Sequence, residues 1–135
     1  PKKTAEENIA FAMEVVGYDE KDIKEQVKEL LQLVGLSKRA DMLPRHLSGG
    51  EKQRLGMARA LAHQPDILIA DEPTGNLDLL NTWDIIQLLL KINEFGTTVV
   101  LSTHNKDIVD NIKKRVITMD QGRIIRDIKK GKYSL

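Results

Sequence analysis

The sequence predicts an α/β fold: a mainly parallel sheet with flanking helices, preceded by a small helical region. Short apolar runs over residues 67–70 and 97–102 suit buried strands, and a long segment over residues 79–95 with helical periodicity separates them. Apolar residues also recur at helical spacing through the first third of the chain. Because strands that alternate with helices are joined by right-handed crossovers, the strands are expected to run in the same direction.

The first third is predicted to form two helices, over residues 4–16 and 20–34. Thr4 and Glu7 have the spacing of a capping box, in which a hydroxyl and a carboxylate satisfy free N–H groups at a helix start. Glycines that suit helix ends follow both segments: Gly17 and Gly35. This region is therefore a small helical unit ahead of the α/β part.

The segment Leu47-Ser48-Gly49-Gly50-Glu51 is predicted to open a third helix, which ends near His63 because Pro65 bars its extension. The first N–H groups of a helix lack intrahelical partners, and the helix dipole favours an anion there. Glycine also lets a phosphate approach the backbone closely. A simple capping box from Ser48 to Glu51 explains the same residues, and local geometry alone favours it.

Two acids, Asp71 and Glu72, directly follow the first predicted strand. Ligands of α/β sheets bind at the carboxyl ends of the strands. Asp71 could hold Mg²⁺, directly or through water, and Glu72 could orient or deprotonate an attacking water. Solvated turn acids are the alternative.

The segment Ser102-Thr103-His104 follows the second strand, so we expect His104 at the same sheet edge as the two acids. A histidine there can hydrogen-bond a phosphate, although a lone histidine is more often structural. Asp78 is predicted to cap the long helix after a turn. A short helix is predicted over residues 106–112, and strands over residues 116–119 and 123–125 are predicted to be joined at Gln121-Gly122.

The composition argues against nucleic-acid partners, disulfides, thiolate metal sites and membrane spans. Lys plus Arg number 21 against 20 for Asp plus Glu, and aromatic residues make up 4 %, so neither charge nor stacking suggests nucleic acid as a partner. The absence of cysteine rules out disulfides and thiolate metal sites. No apolar run reaches the roughly 20 residues that a membrane span needs.

Four segments together resemble the ABC ATPase family. LSGGEKQR is similar to its signature motif, ILIADE to the Walker B strand with the catalytic glutamate, GNLD to the D-loop, and STH to the switch histidine. The resemblance implies that Asp71 helps hold Mg²⁺, that Glu72 polarises the hydrolytic water and that His104 contacts the γ-phosphate of ATP. It also implies that a signature set binds nucleotide held by the opposite subunit and that Asp78 lies at the dimer interface. That set comprises Ser48, Gly49, Gly50 and Glu51.

The resemblance also implies an organisation. Residues 1–46 are the N-terminal part of the helical subdomain, residues 47–64 carry the signature motif and its helix, and residues 65–135 form the Walker B, D-loop and switch part. The expected cofactors are ATP and Mg²⁺. The expected partners are a second copy, in a nucleotide-sandwiched homodimer, and an integral membrane subunit that the helical subdomain contacts. The expected location is cytoplasmic, peripheral on the inner face of the cell membrane.

Within the family, the segments around DEPTGNLD and INEFGTTVVLSTHNKDIVD are most similar to ATP-binding subunits of bacterial cell-division complexes. Subunits for lipoprotein release or macrolide export are the near competitors. No G-x-x-x-x-G-K-[ST] occurs, so the cradle for ATP phosphates is missing. We therefore expect a C-terminal part of the domain, inactive alone, from a longer protein.

Two other classes remain open at this point. The C-terminal lobes of chromosome-maintenance and repair ATPases carry similar motifs, but they follow long coiled coils, whereas glycines at 17 and 35 interrupt the helices here. A non-catalytic interaction module would use residues 1–44 as a docking surface. The presence of Asp71, Glu72 and His104 argues against lost catalysis.

Overall fold

The computed structural model describes residues 2–133. The chain forms two compact units, Pro1–Leu101 and Ser102–Leu135. Pro1, Ser134 and Leu135, at the ends of the predicted segments, lie outside the described residues. The predicted boundaries after residues 46 and 64 follow motif roles rather than compactness, and they stay predictions.

Helices and strands occur where the sequence patterns predict them. The helices are α1 (Ala5–Val16), α2 (Glu20–Leu33), α3 (Gly49–Leu61), α4 (Leu79–Glu94) and α5 (Lys106–Ile112). The strands are β1 (Ile67–Asp71), β2 (Thr98–Ser102), β3 (Val116–Asp120) and β4 (Arg123–Ile128). Short 3₁₀ turns at Ser37–Arg39 and Pro44–His46 connect α2 to α3. None of the helices within residues 2–133 combines the length and the apolarity that crossing a membrane requires.

The predicted capping box of α1 is confirmed. Thr4 N donates to Glu7 Oε2 at 2.7 Å, and Glu7 N donates to Thr4 Oγ1 at 3.3 Å. Gly17 ends the helix with φ of 91°, in the left-handed region that favours glycine. The start of α1 is also tied to the loop before α3, because Ala5 N donates to Met42 O at 2.8 Å. This bond fixes the approach to α3, which begins the predicted signature helix.

The core of the first unit forms where α1, α2, α3 and α4 bury their apolar stripes against one another. Its largest fully buried side chains are Ile9, Met13, Val34, Leu36, Ile85, Ile86 and Ile92. The contacts between α3 and α4 bring the N-termini of these two helices together. The core thus positions two of the predicted motifs side by side.

Strands β1 and β2 are hydrogen-bonded neighbours. Thr98 N, at the start of β2, donates to Asp66 O, just before β1, at 2.8 Å, so the two strands run in the same direction. The prediction that they are buried on both faces is wrong for both strands. In β2, exposed and half-buried residues alternate, and Val100 is 50 % exposed. Leu68 is 7 % exposed, but Ile67 and Ile69 on the opposite face are 58 % and 72 % exposed, because the described chain covers only one face.

In the second unit, β3 and β4 form an antiparallel hairpin with a bulge between Thr118 and Met119. Gln121 and Gly122 form the predicted two-residue turn, with φ values of 44° and 76°. Positive φ at both central positions is the geometry that matches the twist of a hairpin. The strand pairing is therefore mixed: the predicted parallel arrangement holds for β1 and β2, whereas β3 pairs antiparallel with β4.

Candidate nucleotide-binding and catalytic site

The N-terminus of α3 carries a complete capping box. Ser48 Oγ accepts from Glu51 N at 3.1 Å, and Ser48 N donates to Glu51 Oε1 at 3.0 Å. Ser48 and Gly49 are nevertheless exposed, so this positive end of the helix dipole faces solvent. The simple capping box and an anion-binding helix start are therefore compatible with each other.

The Glu51 carboxylate is held from two sides within the same chain. Besides the Ser48 bond, its Oε2 accepts from Arg39 Nε at 3.1 Å. The pKa of Glu51 is lowered, first by the hydrogen bond from the Ser48 backbone, with partial burial opposing and Arg39 adding to the shift. Nothing in the sequence pointed to Arg39, because a pairing across 12 positions has no local pattern. A contact of Glu51 with nucleotide stays a prediction.

Both glycines of the signature segment touch the region that leads into α4. A β-carbon at Gly50 would overlap Asn81 Oδ1 and lie 2.9 Å from Asn81 Cγ, whereas one at Gly49 would lie 3.4 Å from Leu77 Cδ2. Gly50 is buried and Gly49 is exposed. Alanine at position 50 would therefore displace the Asn81 side chain, whatever the role of Gly50 toward a ligand.

We expect Gly50→Ala to destabilise the protein by about 1–3 kcal/mol, the usual cost of forcing extra atoms into a packed site. Gly56→Ala on the same helix is the matched control, since a β-carbon there meets nothing within 4 Å. It should stabilise by about 0.5–1 kcal/mol, because alanine favours helix. Urea unfolding of both variants measures the difference. Equal effects would show that Asn81 does not restrict position 50.

The two acids after β1 differ in exposure and in backbone conformation. Asp71 is exposed at the end of the strand, and Glu72 is half-buried with φ of 44°. A residue other than glycine in the left-handed region costs about 1–2 kcal/mol, and such strain concentrates at functional sites. Glu72 O accepts from Gly75 N at 3.2 Å, which closes a turn with Pro73 in its second position. The chain therefore reverses immediately after the acids.

A second turn carries the chain from there to α4, because Leu77 N donates to Thr74 O at 3.2 Å. Asp78 is the N-cap of α4, as predicted, and its Oδ1 accepts from Asn81 N at 2.8 Å. The Asn81 amide also donates to Oδ1 and Oδ2 of Asp78, at 3.1 Å and 3.0 Å. These hydrogen bonds from Asn81 lower the pKa of Asp78, and the backbone bond has the largest effect.

Asn81 was missed by the sequence analysis. The available signal was its position three residues after the N-cap Asp78, where glutamate or glutamine completes a capping box and asparagine can also reach the cap. Its contact with Gly50 had no signal, because it depends on how α3 packs against α4.

The predicted site residues are distributed over the two units. The first unit brings the signature segment against the start of α4 and links Asp71 and Glu72 to Asp78 by two consecutive turns. His104 lies in the second unit, exposed and directly before the N-cap Asn105 of α5. Within residues 2–133, no three His, Cys, Asp or Glu side chains cluster as a metal site. Mg²⁺ is usually bound by one or two carboxylates together with substrate phosphates, and Asp71 could supply one such carboxylate.

The chain is similar to known proteins in sequence and in fold. The family described as ABC transporter matches residues 1–75. Among curated proteins, the chain is 53 % identical over 133 residues to the cell division ATP-binding protein FtsE of Streptococcus pneumoniae, covering 98 % of this chain and 58 % of that protein. It is 51 % identical to FtsE of Bacillus subtilis, with the same coverage. The chain thus spans somewhat more than half the length of these relatives.

A solved structure shows the same fold. CbiO1 from Clostridium perfringens, part of the ABC transporter complex CbiONQ, superposes with a TM-score of 0.85 at 31 % identity, covering 92 % of this chain and 50 % of CbiO1. The family match extends over the helical region, the signature segment and the acids after β1. The chain therefore belongs to the ABC transporter family.

Proposed function

We propose that this chain is the C-terminal part of an ATP-binding subunit that hydrolyses ATP in an ABC complex serving bacterial cell division. The observation that carries the proposal is the single compact unit in which an exposed, glycine-rich helix start packs against the segment that follows two sheet-end acids. The two FtsE relatives favour cell division over lipoprotein release or macrolide export.

The proposed reaction is the in-line attack of water on the γ-phosphorus of ATP. Glu72 orients the water and accepts its proton as the new P–O bond forms, and the bond to the ADP oxygen breaks. Asp71 would hold Mg²⁺, which neutralises charge on the phosphate oxygens. His104 would donate a hydrogen bond to a γ-phosphate oxygen. Catalysis then comes from positioning and charge neutralisation.

The proposed assembly is a homodimer with nucleotide between the copies. The exposed start of α3, with Ser48 and Gly49, would face the γ-phosphate of a nucleotide held by the other copy, and Gly50 would add its backbone N–H. Glu51 would stabilise this helix start through its capping bond with Ser48. Asp78, which is exposed beside it, would lie at the dimer contact.

The proposed membrane partner is an integral subunit that docks on the helical region. In support, α1 carries exposed apolar side chains at Phe11, Val15 and Val16. Such a contact would place the protein on the cytoplasmic face of the membrane. No nucleic acid takes part in the proposed function.

The test compares the full-length protein with this 135-residue chain alone. We expect Mg²⁺-dependent ATP hydrolysis from the full-length protein and none from the chain, because the sequence lacks the P-loop lysine and its backbone cradle. Phosphate release, followed with and without EDTA, measures the Mg²⁺-dependent turnover of the full-length protein and of the chain alone. A full-length protein that fails to hydrolyse ATP would overturn the proposal, and turnover by the chain alone would show that the P-loop is not required.

A further inference from the structure

We infer that Asn81 is a positioning residue that holds the carboxylate of Asp78 and the N-terminus of α3 in one fixed arrangement. The inference rests on the proposed function, since it concerns how two parts of that site are set relative to each other. It assigns a role to a residue outside the motifs that the sequence analysis singled out.

The first contact is between Asn81 and Asp78. The Asn81 Nδ2 donates to both carboxylate oxygens, at 3.1 Å and 3.0 Å, and the Asn81 backbone N donates to Oδ1 at 2.8 Å. Hydrogen bonds to a charged acceptor are stronger than neutral ones. An exposed aspartate that would otherwise sample several rotamers is therefore fixed in one.

The second contact is between Asn81 and Gly50. The amide oxygen occupies the space in which a β-carbon of residue 50 would stand, and Asn81 Cγ would lie 2.9 Å from that β-carbon. Only glycine admits the amide this closely. The buried helix backbone at Gly50 and the half-buried Asn81 side chain therefore fit as a pair.

The two contacts are made by opposite ends of one planar amide. Because the Nδ2 and Oδ1 atoms cannot move independently, a shift of the α3 start changes the position of Nδ2, and a shift of Asp78 changes that of Oδ1. Binding of phosphate at Ser48 and Gly49 is thereby connected to the Asp78 carboxylate within the same chain.

The test uses the full-length protein with Asn81→Ala and Asn81→Asp. The second variant keeps the side-chain shape but replaces the two N–H donors with an oxygen that repels the Asp78 carboxylate. A like-charge pair at this spacing on an exposed helix surface is only weakly destabilising, so we expect the variant to fold. The control is Asn93→Ala, which removes an amide on the same helix that donates to Thr97 O at 3.0 Å, away from the site.

We expect kcat for ATP to fall roughly ten-fold in both Asn81 variants, while KM stays within about two-fold and the control keeps wild-type kcat. A role confined to stability would instead lower the melting temperature and leave kcat per folded enzyme unchanged. We also expect Asn81→Ala to relieve part of the destabilisation caused by Gly50→Ala, since it removes Oδ1 and Cγ.

The outcomes separate the two proposals. Wild-type protein without ATP turnover would overturn the proposed function, and this inference with it. Normal wild-type turnover together with unchanged kcat in both Asn81 variants would overturn the inference alone. Additive stability effects of Gly50→Ala and Asn81→Ala would show that the contact with α3 is not maintained.

Discussion

Full-length protein carrying Glu72→Gln is expected to lose ATP turnover by roughly several hundred-fold, within the range for removal of a general base. Glutamine retains the shape of the side chain but cannot accept a proton from water. It also retains the β-carbon, so the backbone cost of φ at 44° is the same in both proteins. The change in rate therefore reports the carboxylate and not the strain.

The measurement is phosphate release at saturating Mg-ATP, combined with nucleotide binding at equilibrium. Binding should be retained, because the proposed role of Glu72 lies in the reaction and not in holding ATP. Glu29→Gln, the same chemical change at an exposed position of α2, is the control and should have wild-type turnover. Unchanged turnover in Glu72→Gln would remove the central residue of the proposed function and favour a non-catalytic interaction module.

Ile69→Lys is expected to have the second large effect, on the free energy of unfolding. Ile69 is 72 % exposed here, beside Ile67 and on the face of β1 opposite to Leu68. The FtsE relatives are longer, with 58 % of their length matched. We predict that further chain covers this face in the full-length protein, because an exposed apolar sheet face of this kind is normally a contact surface.

The predicted result differs between the two proteins. At a dilution at which this chain is monomeric, lysine at position 69 should change its stability by less than about 0.5 kcal/mol, as for other surface changes, whereas it should destabilise the full-length protein by roughly 3 kcal/mol or more. Leu68→Lys, one residue away, should destabilise both, since Leu68 is 7 % exposed here. Denaturant unfolding of the two variants, each made in this chain and in the full-length protein, measures these changes in stability. Equal tolerance of Ile69→Lys in both proteins would show that the face stays open.

The same face predicts how this chain behaves alone. Exposed apolar surface and free strand edges promote association, so the wild-type chain should form dimers or larger species in light scattering. Ile69→Lys should shift it toward monomer.

Patterns of short range accounted for most of the secondary structure. The capping boxes at Thr4 and Ser48, the cap at Asp78 and the turn at Gln121-Gly122 are all decided by residues within four positions of each other. Such features are predictable because the hydrogen bonds that define them are made before any tertiary packing is needed.

Features of longer range were not predictable in the same way. The exposure of Ile67 and Ile69 contradicted the expectation of a strand buried on both faces, since burial depends on what covers the strand and not on its apolarity. The bond from Arg39 to Glu51 and the approach of Asn81 to Gly50 join elements whose contact no periodicity encodes.

The sequence by itself determined the order of the elements, the identity of the motif residues and the family to which they point. The tertiary structure decided which of those residues meet: the packing of α3 on α4 sets Gly50 against Asn81 and brings Asp78 beside the signature segment. The physical reason is that local hydrogen bonding and apolar periodicity act over a few residues, whereas side-chain packing between helices is fixed only when their buried faces fit together.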